Sequence, residues 1–300
     1  MNTSSSGSSP ALRGALAALA ATVIWSGNFI VARGVADAVP PATLAFCRWS
    51  VAFLALLPFA ARSLRREMPT LLAHKGYVAA TALLGVTVFN TLIYVAGHTT
   101  EALNLSLIST FIPAFILVLA RVFLGEALTP ARLGGLLAAV CGVVLLITRG
   151  QPTLLLSIRP NPGDLWMLLA ALLFAGYSIL VRRKPRDIGP TALLGASFGL
   201  GLALLAPWTA LELALGATAH FDLRIVSAIL YIGLGASLAA YWLWSYALGS
   251  IGPSKAGIIY YSLPLFCGIE ASLLLGEPVT WVHFASGGLI IGGIWTATRH

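Results

Sequence analysis

The sequence predicts an all-α integral membrane protein, with ten transmembrane helices in two inverted five-helix repeats and both termini in the cytoplasm. Its composition, the placement of its basic residues and an internal repeat lead to this prediction. Of the 300 residues, 58% are hydrophobic and only 9% are charged, whereas soluble globular proteins carry about 25% charged residues. So few charges could not cover a water-soluble fold, and the composition excludes a soluble enzyme or nucleic-acid-binding protein.

Ten segments are apolar and long enough to cross a bilayer, which takes about 20 residues per helix. The connections between them are short, so no soluble domain is expected. Residues 1–10 are rich in Ser and Gly and are predicted to form a disordered tail, while residues 11–150 and 161–298 hold the two repeats. The predicted spans are Ala11–Gly34, Pro41–Ala61, Gly76–His98, Ala102–Phe123, Pro130–Thr148, Gly163–Val181, Pro190–Leu213, Leu223–Gly249, Pro253–Leu275 and Val279–Thr298.

Basic residues predict the orientation, because the cytoplasmic loops of membrane proteins are enriched in Lys and Arg. With a cytoplasmic N-terminus, 13 of the 18 Lys and Arg residues fall on that side, four fall outside, and Arg48 lies within a span. The clusters at Arg62–Arg66 and Arg182–Arg186 carry most of this bias. The bias accounts for the net charge of +8 and places both termini inside.

The two halves of the chain resemble each other. Leu124–Glu126 recurs as Leu275–Glu277, an offset of 151 residues, and nearer the start of each half the offset is 149, as for Pro41 and Pro190. Each half holds five spans, and because five is odd the second half enters the membrane from the opposite side. Many secondary transporters are built from such inverted repeats, which exchange conformations to open a shared site alternately to either side.

Several features together resemble the drug/metabolite transporter superfamily, EamA type. They are the motif Trp25-Ser26-Gly27-Asn28-Phe29 in the first span, Pro113 and Pro264 inside the fourth and ninth spans, and Leu-Gly-Glu after each of those two spans. The resemblance covers nearly the whole chain, and within the superfamily the chain looks most like bacterial exporters of aromatic amino acids. It implies a multi-pass protein of the bacterial inner membrane that exports small metabolites. It also implies a central cavity lined mainly by the first, third, fourth, sixth, eighth and ninth spans.

Polar side chains within the spans are expected to face the interior of the bundle, because lipid cannot satisfy them. Those that converge are aromatic or neutral and polar, which suits a ligand with a planar apolar body and a small polar head. Packing in the core or at the bilayer interface is the alternative interpretation of the aromatic residues. The cavity candidates are Trp25, Asn28, Asn90, Tyr94, Tyr177, Tyr241, Trp244, Ser245, Tyr260 and Tyr261.

Two charged residues lie inside predicted spans at similar depth in the outer half of the bilayer, Arg48 in the second span and Glu270 in the ninth. Their repeat equivalents are Ser197 and Leu119, so the repeat itself requires neither charge. An isolated charge at this depth is costly. Three roles follow: the two residues pair, Arg48 binds a substrate carboxylate, or both side chains extend toward the headgroups.

Pro113 and Pro264 are candidate hinges. Within a helix, each would remove a backbone N–H and crowd the carbonyl four residues earlier, at Ser109 and Tyr260 respectively. Those carbonyls would then need another partner inside the membrane. The alternative interpretation is a kink that only serves packing.

Taken together, the sequence predicts a secondary transporter that exports small organic metabolites, aromatic amino acids above all, by alternating access through a cavity between the repeats. A proton-coupled exporter of drugs or other metabolites is the alternative, although residues 12–34 contain no Asp or Glu. An intramembrane enzyme is disfavoured, because no nucleophile and base are suitably placed. Cys47, Cys141 and Cys267 lack ligand-like spacing, so no metal or other cofactor is expected. The expected partners are a small-molecule substrate and the lipid bilayer, with no nucleic acid, and a monomer is compatible with the sequence.

Overall fold

The computed structural model of the protein describes residues 10–35, 38–99, 105, 108–151, 153–154, 162–275 and 280–298. Every regular element in these ranges is helical. Most of the predicted tail and the Gly276-Glu277 part of the repeated motif lie outside them.

Within the described residues, the bounds of six helices and one π-helical segment are defined in the first repeat. They are α1 (Pro10–Val35), α2 (Pro41–Ala73), α3 (Lys75–Ala82), π1 (Leu83–Val88), α4 (Phe89–Gly97), α5 (Phe111–Leu124) and α6 (Pro130–Ile147). The second repeat has the same order of elements. It contains α7 (Pro162–Arg182), α8 (Pro190–Ala214), α9 (Leu223–Leu230), π2 (Tyr231–Ala239), α10 (Ala240–Tyr260), α11 (Leu263–Leu275) and α12 (Trp281–Thr298).

Local sequence sets several of these helix ends. Proline occupies the first turn of α2, α6 and α8, where its missing N–H would be unpaired in any case. The Thr129 side chain accepts a hydrogen bond from the Arg132 backbone N–H at the start of α6, and Asp222 does the same for Ile225 at the start of α9. At the other end of α5, Gly125 adopts a φ of 69°, the left-handed conformation that commonly terminates a helix.

The helices have the length and surface of a membrane protein. Six helical stretches of the described chain are long and apolar enough to cross a bilayer, and two further apolar helices, α5 and α6, are shorter. Large apolar side chains point outward, with Leu54 64%, Phe59 71% and Val122 67% exposed. This supports the membrane prediction, while the count of ten spans and the side of the termini stay predictions.

Helices from the two repeats pack against one another. The repeat-equivalent helices form pairs, α2 with α8 and α6 with α12. The α1 helix packs on α10, and in the matching arrangement α7 packs on α4 and α5. The centre of the molecule is therefore built by both repeats.

The third and eighth spans differ from the continuous α-helices that the hydropathy pattern predicts, because each contains a π-helical segment. Residues 83–88 correspond to 234–239 under the offset of 151, so π1 and π2 lie at equivalent places. Polar side chains bond to carbonyls five residues earlier: Asn90 Nδ2 donates to Gly85 O at 3.3 Å, and Ser237 Oγ donates to Ile232 O at 2.9 Å. Such wide turns are rare and often occur at functional sites.

Pro113 and Pro264 lie in the first turns of α5 and α11 rather than within continuous helices. The chain turns at Thr110 and at Tyr261-Ser262 before each helix begins. At the first turn a proline needs no backbone N–H, so the predicted interior kink is replaced by a break between helices. The hinge role of both prolines stays a prediction.

Candidate functional site

Nine aromatic rings from both repeats meet at the centre of the bundle. Phe89 and Phe174 stack with ring centroids 4.6 Å apart, and Trp25 lies 5.3–6.0 Å from four other rings. All nine are buried, and aromatic pairs of this kind contribute about 0.5–1.5 kcal/mol beyond their buried area. We call this group the aromatic centre: Trp25, Trp49, Phe89, Phe174, Tyr177, Phe198, Tyr241, Trp244 and Tyr260.

Hydrogen bonds hold individual rings of the aromatic centre in place, and three of them cross between the repeats, including one from Asn90 Nδ2 to the Tyr241 hydroxyl at 3.1 Å. Trp25 Nε1 donates to the backbone oxygen of Ala236 at 2.9 Å. The Tyr241 hydroxyl donates to the backbone oxygen of Gly85 at 2.6 Å. Any movement of one repeat against the other must therefore alter contacts of the aromatic centre.

Arg48 lies beside the aromatic centre and is only 1% exposed. Its Nε donates to Ser237 Oγ at 2.7 Å, and one terminal nitrogen donates to Asn90 Oδ1 at 3.0 Å and to the Tyr94 hydroxyl at 2.5 Å. Its guanidinium carbon lies 5.4 Å from the Trp49 ring centroid. One side chain of α2 thus connects the residues that follow π1 with those of π2.

Every hydrogen-bond partner of Arg48 in the described structure is neutral. The ion pairs found there join Arg66 to Glu67, His74 to Asp187, and Arg132 to Glu126. The predicted pair between Arg48 and Glu270 is therefore not formed. The extension of Arg48 toward the headgroups is also wrong, because its side chain is buried.

Glu270 Oε1 instead lies within hydrogen-bonding distance of Ser26 Oγ, at 2.8 Å. The sequence predicts a similar depth for the two charges, but the Arg48 side chain turns toward α4 and π2, while the Glu270 side chain turns toward α1. A buried cation without a carboxylate partner is energetically costly. The arrangement around Arg48 therefore favours the arrival of an anion.

Arg48 and Tyr94 have small repeat equivalents, whereas the equivalent of the neighbouring Trp49 is the large Phe198. The offsets relate Arg48 to Ser197 and Tyr94 to Ser245, and both serines line a cavity of about 310 Å³. At these two positions the first repeat carries large side chains, whereas the small side chains of the second repeat lie beside open space. The cavity is also lined by Thr81, Tyr177, Leu193, Tyr246 and, at one end, Arg182 and Lys184.

The structure brings most of the predicted cavity residues together. Ser245 lines the cavity, and Asn28 is 7% exposed with an Oδ1 that finds no hydrogen-bond partner in the described part of the chain. Tyr261 lies apart and packs with Ala139, Val143 and Ile290, because the chain turns there between α10 and α11. The remaining candidates belong to the aromatic centre (Trp25, Tyr177, Tyr241, Trp244, Tyr260) or contact Arg48 (Asn90, Tyr94).

Sequence reasoning missed Trp49 and Phe198, whose rings contact each other at 4.7 Å. The offset of 149 relates these two residues, so the repeat carried a signal that could have found them. It also missed Ser237, which holds Arg48. No comparable signal marked that residue, because its equivalent is Val86.

A helical membrane protein whose two repeats meet at a shared aromatic and polar centre is built as a membrane transporter. Residues 12–148 and 161–299 each match the model of the EamA-like transporter family. The chain belongs to this family, and the predicted resemblance is confirmed.

Curated relatives are also transporters. An uncharacterized transporter of Archaeoglobus fulgidus is 30% identical over 93% of this chain and 95% of its own. A probable terminal-alkyne amino-acid exporter of Streptantibioticus cattleyicolor is 26% identical over 94% of this chain and 92% of its own. A riboflavin transporter of Brucella anthropi is 28% identical over 70% of this chain and 71% of its own.

A solved crystal structure has a similar fold, with a TM-score of 0.76. The match covers 95% of this chain and 96% of the other, at 20% sequence identity. This likeness concerns the fold alone.

Proposed function

We propose that the protein exports small metabolites that combine an aromatic ring with a carboxylate, aromatic amino acids above all. Transport proceeds from the cytoplasm across the bacterial inner membrane by alternating access between the two repeats. One observation carries the proposal: Arg48 is a buried cation with neutral partners, and it lies beside the aromatic centre.

The carboxylate is recognised by Arg48. A guanidinium offers donors in a planar fork that matches a carboxylate, and an arriving anion would compensate a charge that Ser237, Asn90 and Tyr94 only solvate. Because these three partners come from both repeats, the binding of a carboxylate to Arg48 depends on the position of one repeat relative to the other.

The ring of the substrate is recognised by the aromatic centre. In this conformation its rings pack on one another, with Trp25 7% and Tyr241 1% exposed. A planar ligand can take over such edge and face contacts when the repeats move. The substrate ring then replaces contacts between protein rings, so opening the centre does not leave aromatic surface without a partner.

The cavity of about 310 Å³ provides the path from the cytoplasm. Its volume lies at the lower end of the range for small-molecule sites, about 300–1,000 Å³. Arg182 and Lys184 at one end belong to a basic cluster that the charge bias places inside, and Tyr177 connects the cavity to the aromatic centre. The relative described as a probable terminal-alkyne amino-acid exporter supports an amino acid as the substrate.

Counterflow in proteoliposomes tests the substrate class. We expect L-phenylalanine and L-tryptophan to exchange, whereas phenylethylamine, which lacks the carboxylate, and L-alanine, which lacks the ring, exchange at least about tenfold more slowly. Phenylethylamine loses the hydrogen bond of the carboxylate to Arg48, and a hydrogen bond to a charged group contributes about 1.5–3 kcal/mol. L-Alanine loses the contacts of the ring with the aromatic centre. Exchange of phenylethylamine at the rate of phenylalanine would remove the carboxylate from recognition, and exchange of riboflavin alone would favour the substrate named for one relative.

Thiol labelling tests the path of the substrate. In a variant whose three native cysteines are replaced by alanine, we expect Ser245→Cys to react with a membrane-impermeant reagent from the cytoplasmic side, and more slowly with phenylalanine present, because Ser245 lines the cavity. The matched control Ser237→Cys should stay unreactive, since Ser237 is fully buried next to Arg48. Labelling of Ser245→Cys only from the outer side would reverse the proposed direction of opening.

A further inference from the structure

Glu270 is an intramembrane carboxyl group that the proposed substrate site does not use. It lies on α11 and faces Ser26 and Gly27 of α1. A Cβ atom at Gly27 would lie 3.5 Å from Glu270 Oε2 and only 2.3 Å from the Tyr231 hydroxyl. The glycine thus allows α1, π2 and the carboxyl group to approach closely.

The surroundings of Glu270 do not stabilise a negative charge. Its Oε1 contacts the neutral Ser26 hydroxyl, and its Oε2 is buried with no hydrogen-bond partner among the described residues. The titratable groups near it are the Tyr231 hydroxyl on π2 and the Cys267 thiol on α11 itself, and the His283 ring of α12 approaches the neighbouring Gly268. An ionised carboxylate with one unpaired buried oxygen would be strongly disfavoured.

The number of hydrogens available around Ser26 also favours a protonated Glu270. Its Oγ lies 2.6 Å from the carbonyl oxygen of Val23 and 2.8 Å from Glu270 Oε1. A hydroxyl carries one hydrogen, and a carbonyl oxygen can only accept. If Ser26 donates to Val23, the hydrogen in the second contact must come from a protonated Glu270.

We propose that Glu270 is a proton-binding site that couples proton movement to transport. In this conformation the carboxyl group is protonated and donates to Ser26 Oγ. The carboxylate forms when the repeats move and the carboxyl group reaches water: the hydrogen bond from Oε1 to Ser26 breaks, and the Oε1 proton leaves to that water with no other covalent bond made or broken. This coupling rests on the proposed export function, and it makes the protein a proton antiporter.

The position of Ser26 explains how the proton acts on the substrate site. Ser26 follows Trp25, whose ring contacts four others in the aromatic centre, and α11 follows the chain break just after Tyr260 of the same group. Loss of the proton redirects the Ser26 hydroxyl from Val23 to the carboxylate. The first span has no acidic residue of its own, and the carboxyl group that lies against it is that of Glu270 on α11.

Infrared difference spectroscopy between acidic and alkaline pH tests the proton site without any substrate. We expect reconstituted wild-type protein to show the carbonyl stretch of a protonated carboxyl group, and Glu270→Gln to lack it. Glu212→Gln is the matched control and should keep the band, because it leaves Glu270 in place and replaces a carboxyl group whose two oxygens accept three hydrogen bonds from Ala42 and Thr43. Arg33→Gln, on the same helix as Ser26, should also keep it. An unchanged band in Glu270→Gln would overturn the proposal.

Vesicles that are acidic inside test the coupling, with L-phenylalanine as the probe. A difference of one pH unit supports at most about tenfold accumulation for one proton per substrate, and we expect wild-type protein to approach that ratio. Glu270→Gln should lose the accumulation yet keep counterflow within about twofold, because the amide imitates the protonated carboxyl group. Equal accumulation by both proteins would overturn the coupling. If wild-type protein exchanges no phenylalanine, the proposed function fails, while the infrared result still decides the proton site.

Discussion

Arg48→Gln is expected to weaken binding of L-phenylalanine by one to two orders of magnitude, at about 10- to 150-fold, while the protein still folds. The substitution removes the buried positive charge next to the aromatic centre, and the carboxylate of the substrate then lacks its partner. Since a hydrogen bond to a charged group contributes about 1.5–3 kcal/mol, affinity should fall about 10- to 150-fold. Binding is measured by isothermal titration calorimetry in detergent, with thermal unfolding recorded on the same samples.

The fold should survive this change because Arg48 has no carboxylate partner in the described structure to leave behind. The amide of the introduced glutamine can still donate to Asn90 Oδ1 or Ser237 Oγ. Removal of the buried charge also removes the free-energy cost of keeping an unpaired guanidinium away from water. Arg182→Gln is the matched control: its guanidinium donates to backbone oxygens of Leu248 and Gly249 near the cavity, so affinity should change less than about threefold. Unchanged affinity in Arg48→Gln would leave Arg48 with a purely structural role.

The thermal unfolding data also separate the two intramembrane charges. Because Arg48 and Glu270 bond to different helices, the effects of Arg48→Gln and Glu270→Gln on stability should add in the double variant. A strong departure from additivity would instead indicate that the two residues pair in another conformation.

The membrane class and the repeat could be predicted from sequence because composition and offset are read directly from the residues. The partners of Arg48 and Glu270 could not. Their depth follows from the rise along a helix, but their partners depend on how each helix is rotated about its axis. A helix that is apolar on all sides carries little periodic signal to fix that rotation.

The contact between Glu270 and Ser26 joins positions 244 residues apart, and no local sequence pattern predicts it. The π-helical segments were missed for a related reason. They occur together with hydrogen bonds from Asn90 and Ser237 to carbonyls five residues earlier, whereas hydropathy reports only that a segment is apolar.

The backbones of helices α6 and α12, one from each repeat, approach each other closely at glycines. A Cβ atom at Gly135 would lie 2.4 Å from the Gly293 oxygen, and one at Gly293 would lie 2.5 Å from the Gly135 oxygen and 2.8 Å from the Ala139 nitrogen. Gly142, the repeat equivalent of Gly293, has the same role, because its Cβ would lie 2.9 Å from the Ser286 oxygen. Small residues at such crossings let helix backbones approach within the membrane.

Gly293→Ala is therefore expected to destabilise the protein strongly, while Gly292→Ala, one residue away, does not. A methyl group at 293 meets backbone atoms that cannot rotate aside, and overpacking of this kind typically costs about 1–3 kcal/mol. At Gly292 no atom lies within 4 Å of an added Cβ, and alanine is the better helix former by up to about 1 kcal/mol. The measurement is the thermal unfolding midpoint of both variants in the same detergent.

Because α6 and α12 pack outside the aromatic centre, the fraction of Gly293→Ala that remains folded should bind L-phenylalanine with wild-type affinity. Equal midpoints for the two variants would show that the α6–α12 contact does not depend on the missing side chain at Gly293.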